Sequence, residues 1–125
     1  MERESNFAFG EAMKKRSKDF ALRTVRLFQA LPKSAEAYIM GKQVLRSATS
    51  VAANYRAACR ARSGAEFVAK IGIALEEADE TQFWLELLEE SGIVASSKIM
   101  HLKQEAGELT AILTSIRKSA SKKKN

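Results

Sequence analysis

Residues 63–92 read SGAEFVAKIGIALEEADETQFWLELLEESG, and no other stretch of the chain says more about its architecture. Its acids are Glu66, Glu76, Glu77, Asp79, Glu80, Glu86, Glu89 and Glu90, and its one base is Lys70. The segment therefore carries −7 in a chain of net charge +6, and large apolar residues fill many of its other positions. An ordinary surface helix has one apolar stripe and a polar remainder. This pattern instead predicts a helix that lies between a core on one side and a basic surface on the other.

The ends of this helix are marked by Ser63 and Gly92. The order Ser63-Gly64-Ala65-Glu66 is a capping box, in which the Ser side chain bonds a backbone N–H and the Glu reaches back. Gly92 is a residue that commonly ends a helix. The connection to the preceding helix is then very short, so we expect the second and third helices to be antiparallel.

Three further helices follow from apolar spacing. The first runs from about Glu11 to Leu31 and ends at Pro32, the second extends from a Ser34 cap to about Arg62, and the fourth starts at Ser96 or Ser97. Their predicted core positions are Met13, Phe20, Thr24, Leu27, Phe28 and Leu31; Gly41, Val44, Leu45, Ala48, Ala52, Tyr55 and Cys59; and Ile99, Leu102, Ala106, Leu109, Leu113 and Ile116.

These elements predict an all-α protein, an antiparallel up-and-down four-helix bundle. Residues 1–10 are expected to be an N-terminal extension, residues 11–119 the bundle, and residues 120–125 a basic disordered tail. A single cysteine cannot form an internal disulfide, and no stretch approaches the roughly 20 apolar residues of a membrane span. With no secretory signal in residues 1–10, a cytoplasmic protein without a membrane partner is expected.

No catalytic or metal-binding motif is recognised in this sequence. The only histidine, His101, lacks the Glu-x-x-His spacing of di-metal bundles. Cys59 falls on the predicted core face, where a buried thiol is inert. The sequence predicts no catalytic residue, no metal site and no cofactor, so the protein is not expected to be an enzyme.

A polar stripe and a second helix face are the candidate interface of an oligomer. Arg46, Ser50 and Asn54 are spaced four apart on the second helix, and the acids and apolar residues of the third helix form a face of their own. Arginines must meet these acids if the face is buried, because an unpaired buried carboxylate costs several kcal/mol. The predicted interface comprises Arg46, Ser50, Asn54, Arg56, Arg60, Glu76, Glu77, Glu80, Phe83, Trp84 and Leu87. The alternative stays open that Trp84 packs at the end of one protomer's core and the charges lie in water.

Basic residues on the first helix and the tail are the candidate contacts to nucleic-acid phosphates. They are Lys14, Lys15, Lys18, Arg23, Arg26, Lys122, Lys123 and Lys124. A basic surface attracts polyanions, and it also serves solubility alone. Both interpretations are open.

Residues from about Phe20 to Ile116 resemble a known bundle family. The resemblance is carried by Gln43, Arg46, Ser50 and Asn54, by Arg62-Ser63 and Glu66-Phe67, and by residues 73–78. The chain is similar to the four-helix bundle proteins first noticed in intervening sequences of bacterial 23S rRNA genes. Where many members have Ile-Ala-Glu-Gly after the second-helix Asn, this chain has Tyr55-Arg56-Ala57-Ala58, so it lacks that acid and carries Arg56 in this segment.

The resemblance implies a ring-shaped homopentamer with no established enzymatic activity. A group of similar fold, the accessory variability determinants of diversity-generating retroelements, binds nucleic acid and a reverse transcriptase through basic surfaces. The expected partners are therefore sister copies, RNA or DNA, and a reverse transcriptase or another protein. Two functions follow as hypotheses: an oligomer that binds structured RNA or other nucleic acid, or a protein-interaction scaffold that binds none.

Overall fold

The structure, a computed structural model, describes residues 2–124, with the side chains of residues 6–122. This part of the chain contains no β-strand and four α-helices: α1 (Glu2–Ala30), α2 (Ala35–Cys59), α3 (Gly64–Glu90) and α4 (Ser96–Lys124). The predicted all-α class with four helices is confirmed.

Helix bounds differ from the sequence prediction at three places. Helix α1 begins at Glu2 instead of about Glu11. Gly10 does not interrupt the helix, because a glycine inside a helix lowers its stability by only about 1 kcal/mol relative to alanine. Helix α2 ends at Cys59 instead of about Arg62, and helix α4 continues through Lys124, across the segment expected to be a disordered tail. The division of the chain at residues 10 and 120 stays a prediction.

The predicted caps are confirmed, with one change of partner. Ser34 Oγ accepts from Ala37 N at 3.3 Å, and Ser63 Oγ accepts from Glu66 N at 3.1 Å. Glu66 reaches back as expected, but its Oε2 accepts from Arg62 N at 3.0 Å rather than from Ser63 N. Gly92 follows α3 with φ at 80°. This is a left-handed conformation that glycine adopts without a Cβ penalty.

Each helix packs on its neighbours in the sequence. Helix α2 contacts α1 and α3, helix α4 contacts α3, and the contact between α1 and α4 is the weakest of the packed pairs. The connections at residues 31–34, 60–63 and 91–95 are short, so consecutive helices run antiparallel. In the described part of the chain, α1 and α3 do not pack together and therefore lie on opposite sides of the bundle.

The core follows the predicted apolar stripes, except at one position. Phe20, Ile71 and Leu85 are fully buried. The predicted α4 seam is buried from Ile99 to Leu113 and partly buried at Ile116. Cys59, predicted to face the core, is exposed instead, because it is the last residue of α2, where the surrounding helices no longer cover it. No helix in residues 2–124 has the length and apolarity needed to cross a membrane.

Candidate nucleic-acid interface and acidic helix face

The polar stripe of α2 meets the acids of α3 at Arg46. Arg46 Nη1 donates to Glu77 Oε2 at 2.8 Å, and Arg46 Nη2 donates to Glu80 Oε2. Arg46 Nε donates to Gln43 Oε1 at 3.2 Å, which orients the guanidinium along its own helix. One arginine that these acids require is thus supplied within the protomer, and it is shared by Glu77 and Glu80, so the cluster of three side chains keeps a net charge of −1.

The other polar residues predicted for this interface near α2 form hydrogen bonds within their own helix or have no described ion pair. Asn54 Nδ2 donates to the Ser50 carbonyl oxygen at 2.9 Å and to Ser50 Oγ at 3.0 Å. Local bonds of this kind are common for Asn and Ser in helices. Arg56 and Arg60 are exposed, and neither side chain has an ion pair within residues 6–122.

The Glu80 carboxylate is held in its charged form by two donors. Trp84 Nε1 donates to Glu80 Oε2 at 3.0 Å, and this hydrogen bond is the main reason that the pKa of Glu80 lies below its usual value. Arg46 lowers that pKa further, while desolvation opposes both effects. The same ion pairs raise the pKa of Arg46, with Glu77 as the larger cause.

One face of α3, which turns partly toward α2 and partly outward, is both apolar and acidic. We call Ile73, Glu76, Glu77, Glu80, Phe83, Trp84 and Leu87 the acidic face. Phe83 is 53% exposed and Ile73 is 40% exposed, whereas Trp84 and Leu87 are partly buried. The Phe83 and Trp84 rings meet edge to face with centroids 5.0 Å apart. The indole therefore packs against its own protomer on one side, and the Phe83 ring is the most exposed apolar group of this face.

A buried hydroxyl pair links α2 to α3, and local sequence patterns do not predict it because its two residues are far apart in the chain. Thr81 Oγ1 lies 2.8 Å from Ser47 Oγ and 2.7 Å from the Glu77 carbonyl oxygen, and both hydroxyl side chains are fully buried. Ser47 Oγ in turn lies 2.8 Å from the Gln43 carbonyl oxygen. The one sequence signal for this pair is that Ser47 and Thr81 fall within the apolar spacing of their helices.

The predicted phosphate-binding residues of α1 differ in their surroundings. Lys14 pairs with Glu11, and Lys15 pairs with Asp19 at 2.9 Å. Lys18, Arg23 and Arg26 have no ion pair in the described part of the chain. Lys122 is exposed at the end of α4, and Lys123 and Lys124 lie outside the residues whose side chains are described. Of this predicted set, the unpaired cations of α1 lie C-terminal to the paired ones.

Arg16, in contrast, is fully engaged inside the protomer. Its Nε and Nη2 donate to the two carboxylate oxygens of Glu105 at 2.8 Å and 2.7 Å, and Nη2 also donates to Glu108 at 2.7 Å. The Glu105 hydrogen bond is the main cause that raises the pKa of Arg16. This contact joins α1 to α4, and no local pattern announces it because the partners are far apart in the sequence.

A basic cleft lies where the end of α1 meets the beginning of α4. Its volume is about 630 Å³, and Arg23, Arg26, Lys98 and His101 are among its lining residues. None of the described residues that line this cleft is an acid. Lys98 and His101 are not among the predicted sites, because only the packing of α4 beside α1 brings them to Arg23 and Arg26.

An apolar cleft occupies the opposite end of the bundle. It measures about 760 Å³ and is lined by Phe7, Phe9, Tyr55, Cys59 and Phe67, among others. Phe7 is 71% exposed and Phe9 is 51% exposed, and burial raises the pKa of Tyr55 above its usual value. The Cys59 thiol, predicted to be inert in the core, lies in this cleft instead. Within the described residues, no group of three or more His, Cys, Asp or Glu side chains is placed to hold a metal ion.

The fold and these surfaces define a four-helix protein with an acidic helix on one side and unpaired cations on another. A family model described as 23S rRNA-intervening sequence protein matches residues 12–115, and the chain belongs to that family. The resemblance drawn from the α2 and α3 residues is therefore confirmed.

A solved structure supports the same assignment. The chain is similar to a protein of unknown function from the S23 ribosomal protein family of Bacteroides thetaiotaomicron VPI-5482, with a TM-score of 0.79. The two are 40% identical, and the similarity covers 84% of this chain and 97% of that chain. No curated protein matches the chain.

Proposed function

We propose that this protein is a non-enzymatic homo-oligomer, a ring-shaped homopentamer, that binds structured RNA or other nucleic acid through basic surfaces. The observation that carries the proposal is the separation of charge. The acidic face lies on α3, the unpaired cations Lys18, Arg23 and Arg26 lie on α1, and these two helices are on opposite sides of the bundle. A polyanion can therefore approach one side of the protomer without meeting the acids of the other.

Exposed apolar area on α3 supports the oligomer. Phe83 at 53% and Ile73 at 40% exposure stand beside acids. Apolar surface of this kind favours a protein contact over bulk solvent. Arg56 at the end of α2 and Arg60 just after it are exposed and have no ion pair among the described side chains, so they are the cations proposed to meet the acidic face of a neighbouring copy. A contact between two different surfaces is head to tail, and such contacts generate rings when the rotation closes.

Nucleic-acid binding is tested by its dependence on salt. Filter binding of a structured RNA, such as a hairpin segment of 23S rRNA, is expected to show retention at low salt. Because phosphate contacts release counterions, the logarithm of the binding constant should fall linearly with the logarithm of salt concentration. No retention of RNA or DNA at low salt would contradict the proposal.

The oligomeric state is tested by light scattering during size-exclusion chromatography. The proposed ring predicts five times the 13.8 kDa mass of the chain at micromolar concentration. A monodisperse 13.8 kDa species would overturn the oligomer. The protein would then also lack the combined positive charge of five subunits, which strengthens the attraction for polyanions.

A scaffold for another protein is the second candidate, and the apolar cleft favours it. Phe7 and Phe9 expose aromatic surface around a cleft of about 760 Å³. Such a cleft suits an apolar segment of a protein such as a reverse transcriptase. A partner that stays bound after nuclease treatment and is lost from a Phe7→Ser/Phe9→Ser variant would support this function. Loss of the partner on nuclease treatment alone would favour the nucleic-acid function.

A further inference from the structure

We infer that the basic cleft between the end of α1 and the beginning of α4 binds an unpaired nucleotide of an RNA or DNA strand. This inference rests on the proposed nucleic-acid function and assigns it a particular site and a particular substrate class. The phosphates bind the cationic rim, and the base lies on the apolar floor.

The rim has the chemistry of a phosphate site. Arg23, Arg26, Lys98 and His101 come from two helices and converge on one cleft, and its lining within the described part of the chain contains no acid. Arginine forms paired hydrogen bonds to phosphate oxygens, and lysine contributes a compact positive charge. None of the four side chains has an ion pair in the described part of the chain, whereas Arg16 on α1 is neutralised by acids of α4. The cleft is thus a place where α1 and α4 leave their cations uncompensated.

The floor of the same cleft is apolar. Leu27, Leu31, Ile93, Val94 and Leu102 line it. A site made only for inorganic phosphate or a duplex backbone gains nothing from such a floor. A nucleotide with a free base has the matching character, because its base is flat and poorly hydrated on its faces while its phosphate is charged.

The size of the cleft favours an unpaired strand over a duplex. The cleft volume is about 630 Å³. This value lies within the range of roughly 300–1,000 Å³ found for small-molecule sites, which suits one or two nucleotides. Bases in a duplex are stacked and paired, and flipping one out costs a few kcal/mol. A loop or single strand presents its bases without that cost.

Two variants of equal charge change test the site. Arg23→Ala/Arg26→Ala/Lys98→Ala removes three cations of the rim. Lys42→Ala/Lys70→Ala/Lys118→Ala removes three lysines that do not line the cleft. Circular dichroism and thermal melting establish that both variants fold.

The expected result is a selective loss measured by fluorescence anisotropy with a labelled 15-nucleotide single-stranded RNA. The rim variant is expected to bind about 50-fold more weakly at about 0.1 M salt, with a salt slope shallower by about 2, because three phosphate contacts are lost. The control variant is expected to lose less than about 5-fold through its general charge alone. The wild-type protein is expected to prefer the single strand over a duplex of the same length.

Other outcomes separate the failure of this inference from the failure of the proposed function. No binding of RNA by the wild-type protein overturns both. Binding that the rim and control variants weaken equally overturns the cleft and leaves the function standing. Equal affinity for the duplex, or competition by poly-glutamate as strong as competition by RNA, overturns the nucleotide as the occupant of the cleft.

Discussion

Arg46 connects the two central helices through a pair of carboxylates. Its guanidinium meets Glu77 and Glu80, and Glu80 also accepts from the Trp84 indole. The chain Arg46–Glu80–Trp84 runs from the polar stripe of α2 to the aromatic pair on α3. Three groups that the sequence suggests for a contact between copies therefore first stabilise the protomer.

Arg46→Ala is expected to lower the free energy of unfolding by about 1–2 kcal/mol. An exposed ion pair contributes less than about 1 kcal/mol. Here, however, one cation serves two carboxylates, and the Glu77 side chain is only 16% exposed. Urea unfolding measures the difference.

Arg56→Ala is the control for that variant. It removes an exposed arginine without a described ion pair, so the free energy of unfolding should change by less than about 0.5 kcal/mol. Equal effects of Arg46→Ala and Arg56→Ala would contradict the role given to Arg46.

Trp84→Phe is expected to raise the pKa of Glu80 and to make stability less dependent on pH. The folded pKa of Glu80 lies below its usual value, so its contribution is present above that usual value and is lost as the pH falls through the folded pKa. The stability difference between wild type and Trp84→Phe should therefore narrow as the pH falls from about 7 to about 3. When Glu80→Gln is present in both proteins, the stability difference caused by Trp84→Phe should not change with pH. If that difference still narrows as the pH falls, Glu80 is not the group responsible for the pH dependence.

At the scale of the element, α3 owes its position to two kinds of contact. Its buried residues, such as Ile71, Leu85 and Leu88, form the core, and Thr81 adds the hydroxyl contact to Ser47 of α2. The acids that make this helix unusual in sequence are exposed or partly exposed, and some meet a cation of a neighbouring helix: Glu77 and Glu80 contact Arg46 of α2, and Glu89 contacts Lys103 of α4. A helix with a core side and a charged side can thus be packed without an unpaired buried carboxylate.

Helix α2 approaches α1 closely at Gly41, and Gly41→Ala tests this contact. A Cβ there would lie 2.9 Å from Phe28 Cδ1 and even closer to Leu31 Cδ1, so the side chains must shift. Overpacking costs about 1–3 kcal/mol, and the better helix propensity of alanine returns about 1 kcal/mol. A net loss of about 1 kcal/mol is therefore expected in thermal or urea unfolding.

Gly10→Ala is the matched control for that substitution. Gly10 is also helical, and nothing lies within 4 Å of a Cβ built there. The alanine should therefore stabilise the protein, by up to about 1 kcal/mol. If Gly41→Ala instead stabilises the protein, the Phe28 and Leu31 side chains move away from the new Cβ at little cost in free energy.

At the scale of the whole molecule, the surface is divided among an acidic face, a basic cleft and an apolar cleft. Each is made where helices end or where a helix has no neighbour inside the protomer. Helices α1 and α4 are joined by few contacts, and these include the hydrogen bonds of Arg16 with Glu105 and Glu108. The two clefts open toward the two ends of this seam.

Phe83→Lys is expected to dissociate the proposed oligomer to 13.8 kDa protomers, a mass that light scattering measures. The Phe83 side chain is 53% exposed in the protomer. A charge placed in a buried protein contact opposes association. Met100→Lys is the control, because Met100 is 54% exposed on α4 and does not belong to the acidic face. Dissociation by both variants, or by neither, would remove the acidic face from the interface.

Much of the fold could be predicted from the sequence because its causes are local. Ser34, Ser63 and Gly92 act on the backbone a few residues away, and the α4 seam from Ile99 to Ile116 follows from helical spacing. The errors lie at helix ends, where propensity is weak: α1 starts before Gly10, and α2 stops at an exposed cysteine. The interface and phosphate-binding roles assigned to individual residues remain predictions.

Four helices, their core stripes and the family follow from the residues alone, because periodicity and capping are properties of neighbouring residues. Which charges are compensated depends instead on how the helices pack. Arg16 and Arg46 find acids on another helix. Arg23 and Arg26, in contrast, converge with Lys98 of α4 on a cleft whose described lining residues include no acid. The physical reason is that a charge is neutralised by what lies within a few ångströms of it in space, and helix packing sets those distances.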